Sequence, residues 1–390
     1  MTSSQVRAVF FAPPVSLAMV LLVSTGFAAG ELAGQPFPAD LPTDVTADET
    51  QPAGLPVLIE ITLTNTGKTT VSYWCGGPDR YPGAHEFSAR VTDDRGKTRA
   101  VGLANGQYVM GSGVYRPIEP GEFVILPATL ESLPAGSYTI RVGKGKSAKV
   151  VVKDDPMLVR AREQDILKRI RHGEPFAQHV ARIFAGDTLT RGLLQDLLSE
   201  DQQLALHAVR TLQGVKRLPP NAGAIVQKSI RMHLDTTETK QNLQSYLLRD
   251  LAGVAGKIGT DEAMSGVLAI VHSKMGAETR GAAISFLGMF KQEQAAKVLH
   301  DLLKDKNERV SYEAARTLAY RKDPAAIDFL LALAADREHR WRAEAYVLLA
   351  NFPADERVEP VLKKGLTDSN IFVRSHAEQA LRELKRNQKR

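Results

Sequence analysis

Nine histidines and one cysteine are the first places to look for chemistry in this chain. A helical zinc site needs imidazoles at i and i+4, and hydrolysis adds a carboxylate beside them. No two histidines here stand four apart; His272 and His300 are 28 apart, and neither has the required glutamate. A phosphate-binding loop needs Gly-x4-Gly-Lys-Ser/Thr. Gly253-Val254-Ala255-Gly256-Lys257-Ile258 has Leu251 where the first glycine belongs and Ile258 after the lysine, and Gly143-Lys144-Gly145-Lys146-Ser147 also lacks that glycine. Both read as loops. No Gly-x-Ser-x-Gly turn occurs, and Cys75 has only His85 near it in sequence. The residues therefore predict no enzyme, no metal site and no cofactor.

Recognition is the chemistry the sequence does offer. Tyr73-Trp74-Cys75-Gly76-Gly77-Pro78-Asp79-Arg80-Tyr81-Pro82-Gly83 is a long excursion rich in rings and turn formers. Loops on a rigid scaffold carry binding, and Trp, Tyr and Arg are favoured in hot spots, so Trp74, Arg80 and Tyr81 are the candidate partner-binding residues. Filling the core of its own module, or the junction with the helical part, is the simpler role for Trp74.

The elements that must position that excursion are strands. Val57, Ile59, Ile61 and Leu63 alternate with Leu58, Glu60, Thr62 and Thr64 up to the turn Asn65-Thr66-Gly67-Lys68, which predicts a half-buried strand entering a hairpin. Further short strands are expected around Val71–Cys75, Phe87–Thr92, Thr98–Leu103, Phe123–Leu126, Ser137–Val142 and Ala148–Val152, each bounded by turn formers. About seven short strands in a hundred residues predict a β-sandwich. The phrases N-T-G-K-T-T-V, I-E-P-G-E and P-A-G-S-Y-T-I-R-V resemble the immunoglobulin-like modules of exported bacterial proteins, over residues 54–153. That likeness implies a binding or proteinase-inhibitor module acting through the 73–83 loop. The Cys…Trp…Cys core of antibody domains is missing.

Past Pro156 the period becomes helical and the chain repeats. Ten residues from Thr279 read T-R-G-A-A-I-S-F-L-G; from Val310, V-S-Y-E-A-A-R-T-L-A; from Trp341, W-R-A-E-A-Y-V-L-L-A; from Val373, V-R-S-H-A-E-Q-A-L-R. The fifth place is always small (Ala283, Ala314, Ala345, Ala377) and the ninth is Leu287, Leu318, Leu349 or Leu381. Degenerate copies start at Phe176, Leu204 and Leu243. A period near 31 residues holding two helical patterns marks an α-solenoid, of about seven hairpins over 155–384. Met157–Arg171 is polar enough to cap it. His207 and His376 share the variable fourth place, a surface or groove position. Trp341 takes the first apolar place of its copy and is expected to pack between repeats.

These copies resemble HEAT-type repeats, especially the short variety of phycobilin-lyase-like proteins. In that family the arginine at the second place bonds toward a neighbouring repeat. The matching residues are Arg280, Arg342 and Arg374, with Asp336 and Asp368 as expected acceptors and an interruption at Ser311. The resemblance implies scaffolding, and through one subgroup a lyase-like or chaperone activity on a tetrapyrrole. The expected fold is multidomain: an all-β immunoglobulin-like sandwich followed by an all-α HEAT-like solenoid.

The ends set the compartment. Arg7 precedes the apolar Val15–Val23 and small residues at Gly26, Ala28 and Ala29, a pattern that predicts a signal peptide over 1–29 and export to the periplasm or beyond. Pro13 and Pro14 break the apolar stretch, which is too short for the roughly twenty residues a span requires. Residues 30–53, acidic and proline-rich, read as a flexible linker, and 385–390 as a basic solvated tail. The net charge of +6 is spread over helices that also carry acids, so nucleic acid is not the expected partner. A protein partner of unknown identity, bound along the solenoid groove, is the expectation the whole chain supports, with no membrane span after signal removal.

Overall fold

The computed structural model describes residues 43–75, 88–105, 114–235 and 241–388. Its N-terminal part is built of strands: β1 Thr43–Thr46, β2 Thr50–Pro52, β3 Pro56–Thr64, β4 Val71–Cys75, β5 Ser88–Asp93, β6 Thr98–Gly102, β7 Ala104–Asn105, β8 Val114–Ile118, β9 Phe123–Ser132, β10 Gly136–Val142 and β11 Ala148–Lys153. They form a sheet ordered β1-β3-β9-β7, a second ordered β2-β11-β10-β5-β6, and the two-stranded ribbon β4-β8. The pairing is mixed, because β2 runs parallel to β11 while β10 is antiparallel to it. Period-two patterning puts Val57, Ile59, Ile61 and Leu63 of the first sheet into one cluster with Val91, Ile140, Val150 and Val152 of the second.

The expected linker at 30–53 is strand over Thr43–Thr46 and Thr50–Pro52. Thr43 to Thr46 pair with Leu63 to Glu60, and Thr50 to Pro52 pair with Val151 to Lys153, one stretch serving both sheets. Backbone pairing needs no apolar side chain, which is why acidic, proline-rich sequence can supply edge strands.

Helices follow: α1 Pro156–Arg171, α2 Pro175–Ile183, α3 Asp187–Asp196, α4 Gln202–Gly214, α5 Ala222–Leu234, α6 Gln241–Ile258, α7 Asp261–Val271, α8 Ala277–Leu287, α9 Glu293–Leu302, α10 Glu308–Tyr320, α11 Ile327–Ala335, α12 Arg342–Leu349, α13 Val358–Gly365 and α14 Ile371–Gln388. Side-chain caps start several of them. Asp155 accepts from Met157 N ahead of α1, and Asn307 from Arg309 N and Val310 N ahead of α10. From α2 to α14 each even-numbered helix packs on the next even one, and the odd-numbered helices form a second layer. This is a helical solenoid. One hydrophobic cluster runs unbroken from Ile166 to Leu384. Two expectations fail here. Gly253–Lys257 is interior to α6 rather than a loop, because Phe286 packs against Gly253 and Met289 against Gly256. Lys385–Gln388 belong to α14 rather than to a loose tail, and Asn387 donates to the Ala350 carbonyl at 3.1 Å.

The two halves are joined by packing. Leu58, on the opposite face of β3 from Val57 and Ile59, is buried in the helical cluster. Gln51 is fully buried, donates to the Leu58 carbonyl at 3.3 Å and accepts from Arg162 of α1 at 3.0 Å, while Arg162 also pairs with Asp48 at 2.9 Å. Among the described residues no helix is long and apolar enough to cross a membrane.

Candidate partner-binding face

Trp74 lies on β4 in register with Tyr115 of β8, whereas Arg80 and Tyr81 fall outside the described residues. Leu287, Leu318 and Leu349 are fully buried and Leu381 packs half-buried against the same cluster.

The arginines of the second place are structural. Arg280 donates to Asp305 at 3.0 Å and to the Val271 carbonyl at 2.8 Å. Arg342, itself buried, pairs with Asp368, and Arg374 donates to the carbonyls of Asp368 and Ser369 at 2.6 and 2.9 Å. Asp305 is thus an acceptor and Asp336 is not, contrary to the sequence expectation. Asp336 instead accepts from the backbone N–H of Glu338 in its own turn, since Ser311 brings no guanidinium to it. At that same junction Trp341 stacks on Tyr312 of the preceding repeat, with ring centroids 4.3 Å apart and planes within 7°, and Arg340 covers the indole at 3.9 Å.

A second arginine column escaped the sequence reading, although the repeat alignment carries it. The fourth, seventh and eleventh places read His179/Arg182/Gly186 on and just past α2, His207/Arg210/Gly214 on α4, and Tyr246/Arg249/Gly253 on α6. Arg316 and Tyr320 occupy the last two of these places on α10. At 100° per residue those places fall within about 60° of arc, on the flank away from the buried fifth and ninth places. The early repeats are irregular in length, yet they keep this spacing.

The guanidiniums on that flank meet different neighbours. Arg182 lies over Gly214 and donates to the Arg210 carbonyl at 3.3 Å. Arg210 reaches Asp250 of the next even helix at 3.2 Å, while Arg249 is 3.7 Å from the same carboxylate and 5.2 Å from the Tyr246 ring. Arg316 pairs with Glu313 at 2.7 Å, and Ser285 of α8 donates to that carboxylate at 3.3 Å. Side-chain exposure is 42% for Arg210 and 48% for Arg249 against 12% for Asp250, so the cations face solvent and their counterion does not. His207 sits under Gly173, and burial, with Arg210 nearby, pushes its pKa below the ordinary histidine value. Exposed Tyr246, Met289 and Tyr320 complete a rim of large side chains on this flank. Among the described residues no group of three or more His, Cys, Asp or Glu is placed to hold a metal ion.

A family model described as HEAT repeats matches residues 264–350, from within α7 to the end of α12. No curated protein matches the chain. Similar solved structures include an engineered protein, 25% identical, covering 50% of this chain and 96% of its own, with a TM-score of 0.32. A designed armadillo repeat protein in complex with the peptide (KR)4 is 21% identical, covering 51% of this chain and 100% of its own, with a TM-score of 0.34. Human deoxyhypusine hydroxylase in complex with glycerol is 15% identical, covering 59% and 98%, with a TM-score of 0.27.

Proposed function

We propose that this chain is an exported, non-catalytic scaffold that holds a protein partner along its solenoid. The observation that carries the reading is the unbroken core from Ile166 to Leu384. Stacked repeats with one core make a rigid, extended surface, and HEAT repeats use such surfaces to hold proteins. Export rests on the signal-like pattern of residues 1–29. The Tyr73–Gly83 excursion is the runner-up contact, read from its sequence as an inhibitor-like loop.

The strand module is an immunoglobulin-like sandwich in this proposal. Two features support it. The strand orders β1-β3-β9-β7 and β11-β10-β5 correspond to the ABED and GFC sheets of that fold. Tyr138, near the start of β10, donates its hydroxyl to the Pro134 carbonyl four residues upstream at 3.0 Å, as a tyrosine corner does. With Leu58 and Arg162 fixing it to α1, the module closes one end of the solenoid and leaves the helical flanks open.

The test is capture from an envelope extract on the immobilised chain lacking residues 1–29, read by mass spectrometry and repeated with surface variants. A partner retained by the unaltered chain and by an Arg80→Ala/Tyr81→Ala variant supports the scaffold, and the absence of any retained partner would overturn it. Loss with the loop variant alone would move recognition to the strand module.

A further inference from the structure

We infer that the turn joining α13 to α14, with Leu366, Ile371 and Phe372 at its tip and Lys363 and Lys364 beside it, docks the C-terminal end of the solenoid onto an anionic lipid surface. This goes beyond the scaffold reading and does not rest on it.

The two residues just before the first template place have a shared role in the preceding repeats. They are Ala277 and Glu278, then Glu308 and Arg309, then His339 and Arg340. Arg309 pairs with Glu278 at 2.9 Å, and Glu308 takes both His339 at 2.7 Å and Arg340 at 3.2 Å, so charges lace the starts of α8, α10 and α12 together. The last copy puts Ile371 and Phe372 there, 64% and 67% exposed, with Leu366 41% exposed across the same turn. The turn holds them out firmly. Asp368 accepts from Asn370 N, Asn370 from Phe372 N, and Arg374 donates to the carbonyls of Asp368 and Ser369. Elsewhere on the described helices large exposed apolar side chains stand singly, as Met157, Ile183, Tyr246, Met289 and Tyr320. Phe123 and Ile125 form a pair on β9, but with exposed Glu60 and Glu122 beside them.

Charge and shape then select the occupant. The start-to-start pairs put the turns before α10, α12 and α14 on one edge of the solenoid. Asp305 and Asp368 of that edge are taken by Arg280 and Arg342, Glu308 by Arg340, and Lys363 by Glu359. Exposed Lys304, Lys306, Arg337 and Lys364 then outnumber the exposed acids Asp336 and Glu338, so the edge around the apolar tip is positive. Three side chains on a convex turn expose on the order of 300 Å², a single patch of functional size, whereas a stable protein interface needs about 800 Å² on each partner. A bilayer asks for no matching pocket. Apolar tips enter the boundary between headgroups and acyl chains, and lysines beside them meet anionic headgroups. Exposed Thr367, Ser369 and Asn370 supply hydrogen-bonding groups at headgroup depth. The contact is peripheral, since no described helix is long and apolar enough to cross.

The experiment is vesicle flotation with the chain lacking residues 1–29, whose own apolar stretch would enter a bilayer. The vesicles are phosphatidylcholine alone, or phosphatidylcholine with about one-third phosphatidylglycerol to supply anionic headgroups. The chain is expected to float with the anionic vesicles, less so as salt rises, and to stay behind with the neutral ones. Ile371→Glu/Phe372→Arg restores the residue types of the preceding repeat and leaves the net charge unchanged. It is expected to weaken binding roughly thirtyfold, by the loss of two inserted apolar side chains. Lys364→Gln should weaken it roughly fivefold, and Lys363→Gln less, because Glu359 already holds that lysine. Ile125→Ser on β9 should have no effect. An unchanged urea midpoint shows that the fold persists, and Phe372→Ser serves as the milder variant where the double change shifts it. Equal flotation with neutral and anionic vesicles, indifference to both Ile371→Glu/Phe372→Arg and Phe372→Ser, or loss with Ile125→Ser instead would each overturn the inference. So would a lipid-free dimer that Ile371→Glu/Phe372→Arg dissociates in sedimentation velocity, in a chain that does not float, because the patch would then belong to a second copy. Capture of a partner from extract is read separately, so the scaffold and the lipid contact stand or fall independently.

Discussion

Arg280 reaches Asp305, twenty-five residues further along the chain, with Nη2 and Oδ2 3.0 Å apart. Its Nε also donates to the Val271 carbonyl at 2.8 Å, so one guanidinium ties the end of α7 to the turn before α10. Arg280 and Asp305 side chains are only about one-fifth exposed (19% and 21%), and such a pair is worth more broken than a surface pair. Arg280→Ala strands a shielded carboxylate and a carbonyl together and is expected to lower stability by about 2 kcal/mol. Arg280→Lys keeps the charge without the fork and should lose about half of that. Urea denaturation followed by circular dichroism decides it; a midpoint unmoved by Arg280→Ala would make the bond ornamental.

The junction between strand module and solenoid gives a second prediction. Leu58 is buried among helical residues, and Gln51, fully buried, donates to the Leu58 and Asp48 carbonyls and accepts from Arg162 across the joint. Leu58→Ala should cost about 2–3 kcal/mol by the usual cost of an emptied leucine site. Arg162→Ala should cost about 1–2 kcal/mol, because it leaves the Gln51 carbonyl oxygen without its donor. A fragment starting at residue 155 loses both and is expected to melt below the whole chain and to bind an apolar dye. An equal melting temperature for fragment and chain would refute the joint.

Acid should loosen the middle of the solenoid. Burial pushes His233 below the ordinary histidine pKa against the opposing pull of a hydrogen bond to Leu197, and burial with Arg210 does the same to His207 against Asp201 and the Arg171 backbone. A depressed histidine is neutral in the fold when the unfolded chain already binds a proton. The stability it lends is therefore complete above the unfolded value near 6.5 and is lost as pH falls below it. The loss per histidine is at most about 1.4 kcal/mol for each pH unit until the folded value is reached. The melting temperature should drop between pH 7.5 and pH 5.5, and less steeply in His233→Gln. A pH profile identical in the two proteins would remove His233 from the account.

What was legible in the sequence follows from burial with a fixed period. Leu287, Leu318 and Leu349 repeat because each fills the same fully buried slot, and slots of one shape demand one residue type. Leu58 shows the opposite case. Strand alternation grouped it with Glu60 and Thr62 as an outward residue, and it does point away from the sandwich core, but into a second core that no period of the strand can announce. Thr43–Pro52 was hidden because its pairing is backbone to backbone. Gly253–Lys257 was hidden because the space above its glycines belongs to Phe286 and Met289, a helix away in sequence. The arginine column at the seventh place is written in the repeat alignment too, but it lies outside the buried slots whose period marks the fold.

The junction between α10 and α12 is held by a different device from its neighbours. Ser311 stands where an arginine would serve Asp336, and the Tyr312–Trp341 stack with Arg340 above it bridges the two repeats instead. Glu308 reinforces the seam by bonding both His339 at 2.7 Å and Arg340 at 3.2 Å. Stacked aromatic pairs add about 0.5–1.5 kcal/mol beyond the area they bury, and removing a large ring from a packed site costs about 3–5 kcal/mol when the site is fully closed. Trp341 is half-buried, so Trp341→Ala is expected to cost about 2–3 kcal/mol and Trp341→Phe about 1 kcal/mol. If the missing ladder bond is what makes this seam depend on the stack, Ser311→Arg placed in the Trp341→Ala chain should recover about 1 kcal/mol by giving Asp336 a guanidinium. Urea midpoints of these four variants against the unaltered chain measure all four differences. Recovery in the double variant together with no gain from Ser311→Arg alone would show that stack and ladder are alternative ways of closing one gap, whereas equal gains in both backgrounds would show that they act independently.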